Sequence, residues 1–197
     1  MIVTELREIG KDRLLVTTDE ELSFSLYRGE VQRFHITLDG SIAPDVYQRI
    51  HDEILIPRAR KRVLFLLERM DRTEAQLRDK LYRSGYPEDV MDDALSYAKG
   101  LHYVDDLRYA NTYIAMREEQ KSRRILAADL MKKGIRREII EQALAESYDG
   151  DREEEKIAAW LARKHYVPEE ADQKERQRMA QFLMRRGFLP SDIYHLL

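Results

Sequence analysis

Two periodicities divide the chain near residue 57. Before it, Arg13-Leu14-Leu15-Val16-Thr17-Thr18 and Leu22-Ser23-Phe24-Ser25-Leu26-Tyr27 are β-rich runs, and the second alternates apolar with polar at period two. Residues 1–43 therefore read as extended structure, a small antiparallel meander with a turn at Asp39-Gly40. Ala43-Pro44-Asp45 opens a short helix that is expected to reach Leu55 and to be stopped by Pro57. From Arg58 onward the period is helical: Val63, Leu66, Leu67 and Met70 stand at i, i+3, i+4 and i+7 and form one apolar face. Thr73 is placed to cap a second helix, Glu74 to Arg83, which ends at Gly85, and Pro87 stands where a third can start.

Aligning the chain on Gly85, Gly134 and Gly187 exposes an internal repeat. Leu81, Leu130 and Leu183 lie four residues before the glycines, and Leu77, Leu126 and Met179 eight before. Met91, Ile140 and Ile193 lie six after, and Leu95, Leu144 and Leu197 ten after. Each glycine is expected to supply the left-handed backbone conformation that ends one helix and turns the chain into the next. A first helix precedes each pair: Arg58 to Met70, Asp106 to Glu119 and Arg152 to Lys164. The fold class is thus mainly α: three tandem three-helix repeats in an elongated, curved array, behind a small N-terminal β-containing extension. The expected domains are residues 1–57 (extension), 58–104, 105–150 and 151–197 (repeats one to three). His-Tyr-Val occurs at 102–104 and again at 165–167, at different offsets from the glycines, and reads as coincidence.

Composition narrows the function more than the fold. A 36% share of charged residues with few glycines and prolines suits a soluble helical protein. No apolar run is long enough to span a bilayer and the first residues turn charged too early for a signal peptide, so a cytoplasmic protein without membrane association is expected. The absence of cysteine removes disulfides, thiolate metal sites and cysteine nucleophiles. A net charge of −3 argues against a simple nucleic-acid coat, yet the charge is blocked: 1–57 and 84–116 are acidic, 58–83 and 117–137 basic.

No reaction chemistry stands out. His35, His51, His102, His165 and His195 lack the spacing of helix-borne metal ligands, and no P-loop, dinucleotide fingerprint or nucleophile elbow occurs. Ser84 and Ser122 fit turn and capping roles, Asp105 and Asp106 the cap of the helix carrying Leu107, Ala110 and Ile114. Phe65, Tyr82, Tyr113 and Trp160 read as core rather than base-stacking residues. No catalytic residue, metal or cofactor is assigned.

What recurs is positive charge at the ends of the second helices. Arg83, Lys132 and Arg185 lie two residues before each glycine; Lys133 and Arg186 follow; Arg78, Lys80, Arg123, Arg124, Arg176 and Arg178 come earlier on the same helices. Such cations favour a helix C-terminus by ~0.3–1 kcal/mol each whatever the function. Recurrence at equivalent positions of a repeat nevertheless marks a surface for a long, anionic or acidic partner. The candidate partner-binding set is Arg83, Arg123, Arg124, Lys132, Lys133, Arg136, Arg185 and Arg186. The third helices are acidic, as in Glu88, Asp89, Asp92 and Asp93 or Glu138, Glu141 and Glu146, so the mixed pattern fits a protein filament at least as well as naked DNA.

Four ordered segments carry a resemblance: Leu77-Arg78-Asp79-Lys80-Leu81 with Gly85-Tyr86; Tyr103-Val104-Asp105-Asp106-Leu107-Arg108-Tyr109-Ala110; Arg123-Arg124-Ile125 with Leu130-Met131-Lys132-Lys133-Gly134-Ile135; and Phe182-Leu183-Met184-Arg185-Arg186-Gly187-Phe188. Together they resemble the motifs of the RecX family over residues 58–197. The resemblance implies three three-helix repeats and a non-enzymatic, monomeric regulator of the RecA recombinase. Such a protein binds the RecA–single-stranded DNA filament and restrains its ATP hydrolysis, strand exchange and growth in recombination, repair and the SOS response. It leaves room for weak direct binding to single- or double-stranded DNA. A direct DNA-binding helical module is the competing reading, weakened by the acidic third helices.

Overall fold

Thr73, Ser122 and Asp172 each hand a side-chain oxygen to the amide three residues on, at Gln76 (3.2 Å), Ile125 (3.4 Å) and Glu175 (2.7 Å). In each case the bond satisfies one of the amides that a helix start leaves without a partner. These caps open α4 (Glu74–Tyr82), α7 (Arg123–Lys132) and α10 (Gln173–Arg185), the second helices of the three repeats, in a computed structural model that describes residues 1–148 and 153–197. The first helices are α3 (Ile56–Leu67), α6 (Asp106–Arg117) and α9 (Glu153–Arg163), and the third α5 (Glu88–Gly100), α8 (Arg137–Ser147) and α11 (Pro190–Leu196). The start expected at Arg152 falls outside the described residues. Gly85, Gly134 and Gly187 have φ of 73°, 81° and 85°, the left-handed conformation expected of them.

The chain packs as two units, Met1–Asp105 and Asp106–Leu197. In the first, β1 (Val3–Gly10), β2 (Arg13–Thr18) and β3 (Ser23–Tyr27) form an antiparallel sheet in the order β1-β2-β3, with Val16 opposite Phe24 and Leu14 opposite Leu26. The extended reading of residues 1–43 covers β1 without singling it out as a strand, because its residues are mostly exposed and its apolar Val3, Leu6 and Ile9 stand three apart and do not alternate. The sequence pattern missed a short helix, α1 (Arg28–Arg33), between the sheet and α2 (Pro44–Ile50). One buried cluster runs from Val16, Phe24 and Leu26 through Ile50 and Leu55 to Leu77, Leu81 and Leu95, so sheet and first repeat share a core.

Pro57 does not stop the helix that precedes it. The chain is helical from α2 through a π-helical turn, His51–Leu55, into α3. Ile56 N–H reaches back five residues to the His51 carbonyl. Proline has no N–H to give and its ring crowds the carbonyl four residues earlier; widening the preceding turn relieves that crowding while Ile54 and Leu55 stay buried. In the second unit each repeat has its own core, around Ile114, Leu126 and Leu130 in repeat two and Ile157, Leu183 and Ile193 in repeat three.

Candidate partner-binding surface

The residues just before each glycine point in two directions. Arg83, Lys132 and Arg185 are exposed. Arg83 pairs with Asp79 one turn earlier on its own helix, at 2.9 Å. Lys133 instead lies over the rings of Tyr113 (5.1 Å) and Tyr109 (5.7 Å) of α6, and Arg186 over Phe182 (3.8 Å) and Trp160 (4.1 Å). Burial, then neighbouring Arg185, hold the Arg186 guanidinium below its ordinary pKa. In repeats two and three the position before the glycine therefore faces the first helix of its own repeat, whereas in repeat one Ser84 donates to the Lys80 carbonyl of its own helix; the position before that is exposed in all three.

Arg123 and Arg124 open α7. The Arg123 amide donates to the Tyr148 hydroxyl (3.0 Å) and the Glu153 carboxylate (3.1 Å), and Tyr148 in turn donates to Glu153, joining the end of α8 to the start of α9. Burial and the Glu153 carboxylate push the Tyr148 hydroxyl well above its ordinary pKa, so it remains a donor. Arg123 and Arg124 also border a groove of about 750 Å³ lined by Ala127, Met131 and Ile140 and by Leu189 of repeat three. Arg136 is exposed at the start of α8. Arg185 borders a different groove, with Lys164, Arg178 and Phe182.

Much of the acidity of the first repeat's third helix is answered within that repeat. Asp93 pairs with Arg60 (2.7 Å), and Asp92 with Arg78. The aromatic residues read as core divide: Tyr113 is half-buried with its hydroxyl on Asp129 (3.0 Å) and Trp160 is half-buried against Phe182, whereas Phe65 and Tyr82 are exposed at 43% and 72%. Phe65 lies on the outer side of α3 beneath the Arg62 and Arg69 guanidinium groups, and Tyr82 borders a groove beside Met91. Both readings of core packing are overturned, because helical spacing places a residue near an apolar face without fixing which edge of that face a neighbour covers.

Family models for the first, second and third three-helix domains of RecX match residues 59–97, 105–144 and 147–197. The chain belongs to the RecX family. Regulatory protein RecX of Caldanaerobacter subterraneus subsp. tengcongensis is 31% identical over 95% of this chain and 94% of its own. Regulatory protein RecX of Clostridium botulinum is 28% identical over 93% and 88%. Among solved structures, a regulatory protein RecX covers 99% of this chain and 97% of its own with a TM-score of 0.63; at 22% identity this is a likeness of fold. RecX from Lactobacillus salivarius covers 72% and 93%, with a TM-score of 0.61 at 25% identity.

Within the third RecX domain, sequence reading missed the Trp160–Phe182 pair, whose ring centroids are 5.4 Å apart at 75°. The available signal was spacing: Trp160 precedes Arg163 and Lys164 by three and four residues, and Phe182 precedes Arg186 by four, the separations at which helix side chains meet. Among the described residues no helix is long and apolar enough to cross a membrane, and no cluster of three or more His, Asp or Glu forms a metal-binding group.

Proposed function

We propose that this chain binds the RecA–single-stranded DNA filament and restrains its ATP hydrolysis, strand exchange and growth, as a cytoplasmic regulator that catalyses no reaction itself. The observation that carries the reading is membership of the RecX family through all three domains in order. The outward position two residues before each glycine supports it: Arg83, Lys132 and Arg185 present a cation at the same place in every repeat, as a partner with a repeating surface requires. Arg123, Arg124 and Arg136 add charge around the second repeat. The decisive measurement compares affinity for RecA filaments with affinity for the same single strand bare, alongside RecA ATP hydrolysis. Tighter binding to the filament and slowed hydrolysis at well under one chain per RecA are expected. Equal affinity for the bare strand, or unchanged hydrolysis at saturation, sinks the reading.

A further inference from the structure

Several cations in the first two repeats are spent on carboxylates. Arg60 pairs with Asp93, Arg78 with Asp92, Arg83 with Asp79, Lys99 with Glu74, Lys121 with Asp129 and Arg137 with Glu141. Others lie over rings, as Arg62 and Arg69 over Phe65 and Lys133 over Tyr109 and Tyr113; in repeat three the cations gather on one aromatic pair. Arg163 sits 5.3 Å from the Trp160 ring centroid, Lys164 5.1 Å from that of Phe182, and Arg186 over both rings, while Arg185 is exposed beside Lys164 and Phe182. Among the described residues none of the four has an ion-pair partner. Glu170 and Glu175 border the adjoining groove, but Glu175 is engaged with the Asp172 amide (3.4 Å) at the start of α10 and neither forms an ion pair.

The difference matters chemically. An ion pair consumes N–H donors and neutralises the charge, whereas a ring face holds a guanidinium or an ammonium without neutralising it and leaves most of its N–H donors for another acceptor. The Trp160–Phe182 pair thus orients three cations without neutralising them. Four positive charges around one aromatic pair repel one another, and a ligand that brings several negative charges at short intervals relieves that repulsion. Tetrahedral phosphate oxygens also suit the fork of a guanidinium.

We propose that repeat three carries a phosphodiester site, in which Arg163, Lys164, Arg185 and Arg186 on the Trp160–Phe182 pair hold the backbone of a single nucleic-acid strand. The site deepens the filament reading by assigning the strand, rather than the recombinase, to the third domain. Its test can fail separately from that reading.

Trp160 is the sole tryptophan of the chain and lies at the centre of the site, so its emission reports occupancy of the full-length protein directly. Titration with an oligothymidylate of about 20 nucleotides, long enough to cover one such site, is expected to change Trp160 emission and to protect it from iodide quenching. Arg163→Gln, Lys164→Gln, Arg185→Gln and Arg186→Gln together are expected to weaken strand binding at least ~10-fold at low salt. They should also flatten the log–log salt dependence by about 3, at ~0.7 per cation. The charge-preserving set Arg163→Lys, Arg185→Lys and Arg186→Lys keeps most of the slope and serves if the quadruple variant does not fold. A strand that leaves Trp160 emission unchanged at saturation, or an unaltered slope in the quadruple variant, overturns the proposal. Equal affinity for polyglutamate also overturns it and assigns the patch to an acidic protein surface. If the wild-type chain binds the strand yet leaves RecA hydrolysis untouched, the filament reading falls and the strand site stands.

Discussion

Arg185 and Arg186 are adjacent in sequence and differ in what they touch. Arg185 is solvated, so Arg185→Ala is expected to change stability by no more than about 0.5 kcal/mol. Arg186 covers Phe182 and Trp160, and Arg186→Ala loses that packing and stacking, a cost of about 1–2 kcal/mol. The two urea midpoints decide this: equal shifts refute the inward placement. Gly187 is constrained twice. Its φ of 85° disfavours any side chain, and an added Cβ would run into the side chains of Ile125 and Ser122 from repeat two. Gly187→Ala should therefore cost more than the ~1 kcal/mol of a left-handed alanine alone, and the same urea series checks it. Three histidines share this backbone state. His35, His102 and His165 have φ of 51°, 58° and 51°, and at each the next amide reaches back five residues, as from Tyr103 to the Ala98 carbonyl (3.0 Å) and from Tyr166 to that of Leu161 (3.0 Å). The two His-Tyr-Val tripeptides are one helix-terminating motif used twice, and their recurrence has a physical cause.

At the scale of elements, β3 does for repeat one what the start of α7 does for repeat three. Ser25 is fully buried; its amide donates to the Gly85 carbonyl (2.8 Å) and its hydroxyl to that of Ser84 (2.8 Å). Ser122, equally buried, donates its amide to the Arg186 carbonyl (3.4 Å). In both places a buried serine covers the glycine turn and meets carbonyls that a helix end leaves without partners. The N-terminal sheet thus covers repeat one as a preceding repeat would, and acts as its cap. A chain beginning at Arg28 is expected to lose protection in α4 and α5 while α10 and α11 keep theirs, as hydrogen exchange would show; unchanged protection in α4 would refute the cap. Spacing alone made the helices, their glycine turns and the caps at Thr73 and Ser122 legible, because each rests on contacts within a few residues. It did not single out β1, which is held by pairing with β2, or reveal the passage of the helix through Pro57, which takes a π-helical turn outside the ordinary helical period. The site was half legible for the same reason: charge at Arg185 and Arg186 could be read, but the division between outward and inward positions needed Trp160, more than twenty residues away.

Two units with separate cores make a claim about cooperativity that the lone tryptophan can test. Leu77 is fully buried in the cluster that runs from the sheet through repeat one, and Leu183 in the cluster that contains Trp160. Either leucine cut to alanine removes a buried side chain at about 2–5 kcal/mol. If the units unfold independently, Leu183→Ala lowers the midpoint seen by Trp160 fluorescence, whereas Leu77→Ala leaves it in place and shifts only part of the far-ultraviolet circular dichroism, which senses every helix. Within the second unit the repeats are tied by the Ser122 amide on Arg186 and by the Arg123, Tyr148 and Glu153 hydrogen bonds. Leu130→Ala in repeat two is therefore expected to move the Trp160 midpoint as well, though its core does not contain the ring. A Trp160 midpoint that follows Leu77→Ala as closely as Leu183→Ala would mean that the chain melts as one body, and the boundary at Asp105 would then mark geometry without energetic independence.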